Sequence, residues 1–202
     1  MPNNIKINSD FENYKKAFLE ENSKHNLISK NDEKFLYEKH IYDSLGIKLF
    51  FEKYNINKGK ILDIGCGGGF PCLPIAIEFP NLEIIGIDSI GKKINSVQNI
   101  ADKLELKNIS LICDRVENLK TEKFDIVVSR AVADMAKISE YALPLVKKGG
   151  YFVAYKSKKA LEELDNAQQV LKKHNSKVIE ILNYILPLEE VYERNLICIK
   201  KF

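Results

Sequence analysis

The chain has 202 residues, of which 45% are hydrophobic and 29% are charged, and this is enough for one domain with a single sizeable core. Its 31 basic and 28 acidic residues give a formal net charge of only +3, with no polybasic tail that would bind a polyanion by charge alone. The first residues are polar and no apolar run approaches the roughly 20 residues of a membrane helix, so we expect a soluble, cytoplasmic protein.

The four cysteines predict neither a zinc site nor a disulfide framework. They form no CxxC pair and have no histidine at zinc-ligand spacing. We therefore expect reduced, mostly buried side chains and no bound metal. The residues are Cys66, Cys72, Cys113 and Cys198.

Residues 1–58 are predicted to form a helical segment that packs on the core. Ser9 and Glu12 match the S-x-x-E capping box, which places the start of a helix between them. Aromatic side chains then recur on one helical face, at Phe11, Tyr14 and Phe18. After a polar stretch, apolar residues resume helical spacing.

From residue 59 onward, short apolar runs alternate with amphipathic stretches. The pattern predicts strands at 61–64, 82–87, 109–113, 124–129 and 151–155. It predicts helices at 74–79, 92–104, 135–146 and 160–174, and a final hairpin from 178–185 and 196–200. Strands that alternate with helices imply right-handed crossovers. Residues 59–202 are therefore predicted to form a doubly wound, mostly parallel α/β sheet with an antiparallel C-terminal edge strand.

Four glycines lie between Gly65 and Gly69, in the run LDIGCGGGF directly after the first predicted strand. A nicotinamide fingerprint G-x-G-x-x-G fails here, because its third glycine would fall on Phe70. A phosphate-binding loop fails as well, because no Gly-Lys-Ser/Thr follows. What remains is an acid, Asp63, two residues before the first glycine, and then glycines at every second position. This pattern is typical of S-adenosylmethionine loops, in which a carboxylate favours the ammonium group of the ligand.

The second predicted strand ends in an acid, Asp88, 23 residues after Gly65. An acid at that position can accept both ribose hydroxyls of an adenosine-containing ligand, and one βαβ crossover sets the spacing at about 20 residues. The alternative is a solvated acid at the start of a helix, which is common. The glycine loop and the spaced acid together favour an adenosine cofactor.

The fourth predicted strand ends in VSRA, with Arg130 as its cation. It lacks the [DN]-P-P-[YF] motif that holds the exocyclic amines of adenine or cytosine, and it lacks the proline-flanked cysteine nucleophile of pyrimidine C5 enzymes. A ring nitrogen such as guanine N7 needs neither, because its lone pair is already available. The missing motifs therefore fit a reaction that proceeds by positioning and in-line displacement at a sulfonium methyl group.

Seven stretches of the sequence together resemble one known family. They are HNLIS at 25–29, KHIYDSL at 39–45, LDIGCGGGFPCLPIAI at 62–77, DSIGKK at 88–93, DRVENL at 114–119, FDIVVSRAVA at 124–133 and ERNLICIKK at 193–201. Over nearly the whole chain this combination resembles the glucose-inhibited division protein B family, the bacterial methyltransferases G of small-subunit ribosomal RNA. Cys72 stands where the family usually has glycine, and the segment before HNLIS lacks the usual tryptophan.

The resemblance implies a class I methyltransferase fold and makes 59–202 the S-adenosylmethionine-dependent methyltransferase domain. It implies methylation of N7 of a guanine in the decoding-region loop of 16S ribosomal RNA, free or within the small ribosomal subunit. Position by position, it implies cofactor contacts from Gly65, Phe70, Asp88, Val116, Glu117 and Arg130. We expect a monomer, and no general acid or base is predicted.

Several of these residues have more than one predicted role. Phe70 either contacts the cofactor or anchors the loop in the core. Arg130 contacts the cofactor, grips RNA phosphate, or pairs with a surface acid. His40 and Asp43, about one helical turn apart, form either a substrate edge or a helix-stabilising pair. Lys156 and the two lysines that follow it suit either phosphate contact or solvated caps.

Two further functions stay open from the sequence. A methyltransferase for another RNA, a small molecule or a protein could use the same fold, although a small-molecule enzyme would usually need a capping insertion to enclose its substrate. A non-catalytic RNA-binding or cofactor-sensing module could also retain the fold. The intact glycine loop and Asp88 argue against this last function.

Overall fold

The computed structural model describes residues 5–119, 122–130, 133–157 and 163–202. Two of the lysines predicted to contact phosphate, Lys158 and Lys159, lie outside these residues. Within the described ranges, no helix is both long enough and apolar enough to cross a membrane.

In the described part of the chain, seven strands form one sheet in the order β3-β2-β1-β4-β5-β7-β6. The strands are β1 Gly59–Ile64, β2 Leu82–Asp88, β3 Ile109–Cys113, β4 Phe124–Arg130, β5 Val146–Ser157, β6 Ser176–Leu186 and β7 Tyr192–Lys201. Strands β1 to β5 pair in parallel, whereas β7 is antiparallel to both β5 and β6. The predicted α/β sheet with an antiparallel C-terminal edge is confirmed, and within the terminal hairpin β7 is the inner strand.

Helices that follow β1 cover both faces of the sheet. They are α4 Cys72–Glu78, α5 Gly91–Lys103, α6 Met135–Ala142 and α7 Leu164–Lys173. Because side chains alternate along a strand, Ile61 packs in the core with α4 and α5, and Leu62 packs in the core with α6 and α7. Both side chains are fully buried, so the sheet is covered on its two faces.

The direction in which the chain crosses the sheet reverses at β1. From β1 the chain moves outward to β2 and β3, and then returns past β1 to β4. The carboxyl ends of β1 and β4 are neighbours, since Ile64 pairs with Ser129. In open α/β sheets, ligands bind in the crevice outside the strand ends at this reversal. The topology therefore places the candidate site at the ends of β1, β2 and β4.

The N-terminal segment is helical. It consists of α1 Glu12–His25, α2 Lys30–Glu33, a π-helix Leu36–Tyr42, a 3-10 turn Leu45–Ile47 and α3 Lys48–Lys53. Phe18 and Phe50 from this segment share one buried cluster with Val97 of α5, so the segment packs on the α4–α5 face of the sheet.

The capping box predicted at Ser9 and Glu12 is wrong. The backbone N–H groups of Asn8 and Ser9 donate to the carboxylate of Glu78 on α4, at 3.0 and 2.9 Å. Glu78 is buried and also binds Lys48 at 2.8 Å. A buried carboxylate needs several donors, and Glu78 obtains two of them from the backbone that precedes α1.

The helix predicted over 135–146 is shorter in the structure. The helix α6 ends at Ala142, and the 3-10 turn Leu143–Leu145 follows, with Pro144 inside it. Proline has no backbone N–H to continue a helix, so the chain is free to enter β5 at Val146.

Candidate functional site

The glycine loop after β1 turns back onto the end of β2. Gly65 has a φ of +69°, a left-handed conformation that glycine adopts without strain. The N–H groups of Gly65 and Cys66 both donate to the carbonyl of Ile87, at 2.8 and 3.0 Å. The N–H of Gly67 donates to the Asp88 carboxylate at 3.0 Å. Backbone and side-chain bonds thus fasten the loop to β2.

A cavity of about 400 Å³ opens beside this loop, and we call it the loop cavity. Its volume lies within the range of small-ligand sites. Four of the residues predicted to contact the cofactor line it, namely Gly65, Asp88, Val116 and Glu117. They come from the loop after β1, the end of β2 and the turn after β3, which meet at one edge of the sheet.

Asp88 has acceptor capacity left over for a ligand in the loop cavity. One carboxylate oxygen accepts the N–H of Gly67, and the other accepts the N–H of Ile90 at 2.9 Å. An ionised carboxylate has about four lone-pair sites, so further hydrogen bonds from ligand hydroxyls can be accepted. Asp88 therefore shapes the glycine loop and is also able to bind a ribose.

Ile90 and Tyr141 are among the residues of the loop cavity that sequence reasoning misses. The Ile90 residue is 47% exposed and, with Val116, provides apolar surface on which a planar ring can pack. Its position two residues after the strand-end acid was a usable signal. Tyr141 comes from α6, which is far from the glycine loop in sequence, so no local pattern could reveal it.

Asp63 is fully buried on β1, two residues before the loop. Its Oδ2 accepts the N–H of Cys72 at 3.1 Å, while its Oδ1 has no hydrogen-bond partner among the described residues. Burial raises the pKa of Asp63 to about 7. A buried carboxylate oxygen without a partner is destabilising, and a cationic group of a ligand would relieve this.

Phe70, at the end of the glycine loop, lies in an aromatic cluster with the N-terminal segment. Its ring centroid is 5.0 Å from that of Phe18 and 4.9 Å from that of His40, and the guanidinium carbon of Arg130 is 5.2 Å away. Phe70 is buried and does not belong to the wall of the loop cavity. Of its two predicted roles, the structure gives it the anchoring of the loop, because α1 offers apolar partners on that side.

A second cavity, of about 270 Å³, lies beside Arg130 at the end of β4. We call it the arginine cavity, because Arg130 and Arg194 both line it. The remaining lining residues are Asp32, Lys39, His40, Asp43, Leu186 and Tyr192. Since β1 and β4 are neighbours, this cavity and the loop cavity open at the same edge of the sheet.

Asp43 joins the two arginines. It accepts a bond from Arg130 at 3.0 Å, from Nε of Arg194 at 2.8 Å and from the hydroxyl of Tyr184 at 2.7 Å. Asp43 is 3% exposed. Burial acts to raise its pKa, but the positive charges of Arg194 and Arg130 outweigh burial and keep the pKa below its usual value. One buried carboxylate thus connects the N-terminal segment to β4, β6 and β7.

His40 is held as a neutral ring between Phe70 and Arg130. Its Nδ1 lies 3.1 Å from a terminal nitrogen of Arg130, and because a guanidinium only donates, Nδ1 accepts and Nε2 carries the proton. Burial, and then the charge of Arg130, lower the pKa of His40 to about 4. His40 belongs to no metal site: in the described ranges, no three His, Cys, Asp or Glu side chains come together as a metal would require.

Comparison with known proteins decides the family. A family model described as rRNA small subunit methyltransferase G matches residues 7–192. The chain belongs to this family. A relative named ribosomal RNA small subunit methyltransferase G, from Lachnoclostridium phytofermentans, is 43% identical over 95% of this chain and 80% of its own. A relative of the same name from Staphylococcus saprophyticus is 40% identical over 97% of this chain and 82% of its own.

Solved structures of other methyltransferases share the fold. A magnesium protoporphyrin IX methyltransferase from Synechocystis, with bound SAM, superposes with a TM-score of 0.62 over 80% of each chain at 13% identity. The M. jannaschii protein TYW2, in complex with AdoMet, superposes with a TM-score of 0.59 over 78% of this chain and 77% of its own, also at 13% identity. At these identities the likeness establishes the class I methyltransferase fold.

The structure gathers most of the residues that the family resemblance predicted for the site. Gly65, Asp88, Val116 and Glu117 line the loop cavity. Arg130 and His40 line the arginine cavity, where Arg130 binds Asp43. Arg130 does not line the loop cavity. Phe70 packs beside both Arg130 and His40.

The substrate contact predicted for Lys156 is not supported. Its ammonium group binds Glu163 at 2.9 Å and the carbonyl of Ala133, and the side chain is only 11% exposed. Glu163 also accepts the N–H of Met135 at 2.9 Å. The Lys156 ammonium is therefore already bound to polar groups next to α6, and little of the side chain is exposed to an RNA phosphate.

Cys72, where the family usually has glycine, is accommodated at the start of α4. Its sulfur and that of Cys66 lie 3.3 and 3.2 Å from the position that a Cβ would take on Gly86. The absence of a side chain at Gly86 leaves room for both sulfurs, so the substitution is compatible with the glycine loop.

Proposed function

We propose that this family member transfers the methyl group of S-adenosylmethionine to N7 of a guanine in the decoding-region loop of 16S ribosomal RNA. The relatives' names support ribosomal RNA of the small subunit as the substrate. Two cavities that open at the same edge of the sheet support a two-substrate reaction, in which one holds the cofactor and the other holds the base. We further propose that the protein acts as a monomer in the cytoplasm.

The loop cavity fits S-adenosylmethionine. Asp88 is placed to accept the ribose hydroxyls, and Ile90 and Val116 are placed to pack on the adenine ring. Asp63 does not line the cavity, but it lies two residues before the glycine loop, and its unpartnered Oδ1 would attract the ammonium of the methionine moiety. When bound, this cofactor supplies an electrophilic methyl group on a sulfonium sulfur. The protein's residues then have to hold the base in line with that methyl group.

One observation in the arginine cavity carries the assignment to N7. Each lining group that could take a proton from a substrate is already bound to a cation: Asp43 to both arginines, Nδ1 of His40 to Arg130, and Asp32 to Lys39. An exocyclic amine loses a proton when it is methylated, whereas N7 attacks with a free lone pair. A cavity built to hold a base without deprotonating it suits N7.

The reaction can be mapped on RNA directly. The protein is incubated with labelled S-adenosylmethionine and either 16S ribosomal RNA or small ribosomal subunits, and the RNA is then treated with borohydride and aniline, which cleave at N7-methylguanine. We expect label in the RNA and one cleavage in the decoding-region loop. Label on an exocyclic amine or on ribose would overturn the assignment of N7 as the methylated atom. If neither the free RNA nor the subunit is labelled, the proposed substrate is wrong.

A further inference from the structure

The mouth of the arginine cavity carries an exposed aromatic side chain. Tyr192, the first residue of β7, lines the cavity and is 51% exposed. Val191, its neighbour in the β6–β7 turn, is 73% exposed, and neither residue is needed to fill the core. An exposed aromatic ring beside a cavity offers a flat apolar surface on which a base can stack.

The cavity also has a surplus of positive charge. Lys39, Arg130 and Arg194 contribute three positive charges, and Asp32 and Asp43 contribute two negative ones. Asp43 binds Arg194 through Nε and one terminal nitrogen, at 2.8 and 3.1 Å, which leaves the other terminal nitrogen outside this pair. A guanidinium held in this way is oriented in advance for a phosphate or the edge of a base.

The size of the cavity restricts what can enter it. A volume of about 270 Å³ accommodates one base with part of its sugar, but not a base pair or a helix. Enzymes that act on a base inside a duplex must first extrude it from the stack, and this costs less when the base is already unpaired. Charge and size together therefore favour one nucleotide of single-stranded RNA over a duplex or a protein segment.

We propose that the arginine cavity binds the methyl-accepting guanine as an unstacked nucleotide, with Tyr192 stacking on its base and Arg194 facing its phosphate. This inference rests on the proposed function, because it places that reaction's substrate. It assigns to Tyr192 the selection of single-stranded over paired RNA. Tyr192 thereby becomes a specificity-determining residue, and the chemistry of methyl transfer does not depend on its hydroxyl.

The test compares one RNA in two forms. The first is a stem-loop with the target guanine in its loop, and the second is the same strand annealed to its full complement. Binding to each is measured for the wild type, Tyr192→Ala, Tyr192→Phe and the matched control Val191→Ala. We expect the wild type to prefer the stem-loop, and Tyr192→Ala to weaken stem-loop binding about tenfold, with little change for the duplex. Tyr192→Phe and Val191→Ala should bind as the wild type does.

Salt dependence separates stacking from charge. Loss of a neutral ring should leave the slope of log affinity against log salt unchanged in Tyr192→Ala, whereas loss of a phosphate contact reduces that slope by about one. Unchanged stem-loop binding in Tyr192→Ala, or an equal loss for both RNA forms, would overturn the inference. So would equal binding of the stem-loop and of a polyglutamate peptide, which would identify a general anion site.

The same RNA distinguishes this inference from the proposed function. If the wild type methylates N7 of the loop guanine while Tyr192→Ala keeps its KM for RNA, only the placement at Tyr192 is wrong. If the wild type binds the stem-loop in a Tyr192-dependent manner but transfers no methyl group to N7, the proposed function is wrong and the nucleotide site stands.

Discussion

The two cavities at the sheet edge are built in different ways. The loop cavity is formed by backbone groups of the glycine loop and by side chains at strand ends or in the turns that follow them, such as Asp88 and Val116. The arginine cavity is formed by side chains that come from distant parts of the chain and meet at one buried carboxylate, Asp43. The first should tolerate the loss of a side chain with its fold intact, whereas the second should be strongly destabilised by the loss of the Asp43 charge.

The largest effect is expected at the centre of the arginine cavity. Asp43→Asn removes the charge that compensates Arg130 and Arg194, both of which have only 13% side-chain exposure. The free energy of unfolding, measured in urea, should fall by about 3–5 kcal/mol. Asp32→Asn is the matched control, because its pair with Lys39 is partly exposed and should contribute less than about 1 kcal/mol. Equal small losses in both variants would show that Asp43 does not hold the two arginines in place.

His40 makes the stability contributed by the arginine cavity depend on pH. Its folded pKa of about 4 lies below the ordinary value of 6.5, so the unfolded chain binds the proton more strongly. The stabilisation is complete above pH 6.5 and is lost as pH falls toward 4, by up to about 3 kcal/mol. In His40→Phe this part of the stability–pH profile should be missing. A variant profile parallel to that of the wild type between these values would show that His40 titrates normally.

In the loop cavity the expected effect is on affinity. Asp88→Ala should weaken S-adenosylmethionine binding about tenfold or more, since it removes charge-assisted bonds to ribose and frees the N–H of Gly67. The protein should stay folded. Glu83→Ala, which removes an exposed acid from the same strand outside the cavity, should bind as the wild type does. If calorimetry gives the same affinity for folded Asp88→Ala and for the wild type, Asp88 does not bind the cofactor.

A smaller effect concerns Asp63, which is buried one residue before the end of β1 and is acted on by the charges of both Arg130 and Asp88. Its pKa of about 7 means that it is partly protonated near neutral pH, whereas a bound ammonium group favours the ionised form. The affinity for S-adenosylmethionine should therefore rise about tenfold between pH 6 and 8 and then level off. Asp63→Asn should bind more weakly and show no such rise. A pH-dependent affinity that persists in this variant would have to come from another group.

The contrast between the cavities also explains what the sequence could predict. Local patterns identified the glycine loop, Asp88 and the terminal hairpin, because each depends on neighbours in the chain. They could not identify the cluster around Asp43, because the contacts of Asp43 with Tyr184 and Arg194 join residues 141 and 151 positions apart. No period or spacing encodes a contact of that kind.

For Phe70 and Lys156, the structure favours something other than the predicted ligand contact, and the physical reason is the same. Phe70 was predicted beside the cofactor from its place after the glycines, but the aromatic face of α1 offers it a buried position. The sequence predicts Lys156 at the substrate because it follows the expected strand at 151–155, but β5 extends to Ser157 and Glu163 lies close enough to bind Lys156. In both cases a partner outside the local pattern decides where the side chain points.

The central claim is that the arginine cavity holds a base without removing a proton from it. Single-turnover methyl transfer, with RNA and cofactor both saturating, tests this directly when the rate is followed between roughly pH 6 and 9. We expect a nearly constant rate, because N7 reacts through a free lone pair and the cavity's possible proton acceptors are already bound to cations. A steep rise with an apparent pKa near neutrality would contradict it, since it would reveal a general base and a proton-bearing acceptor atom.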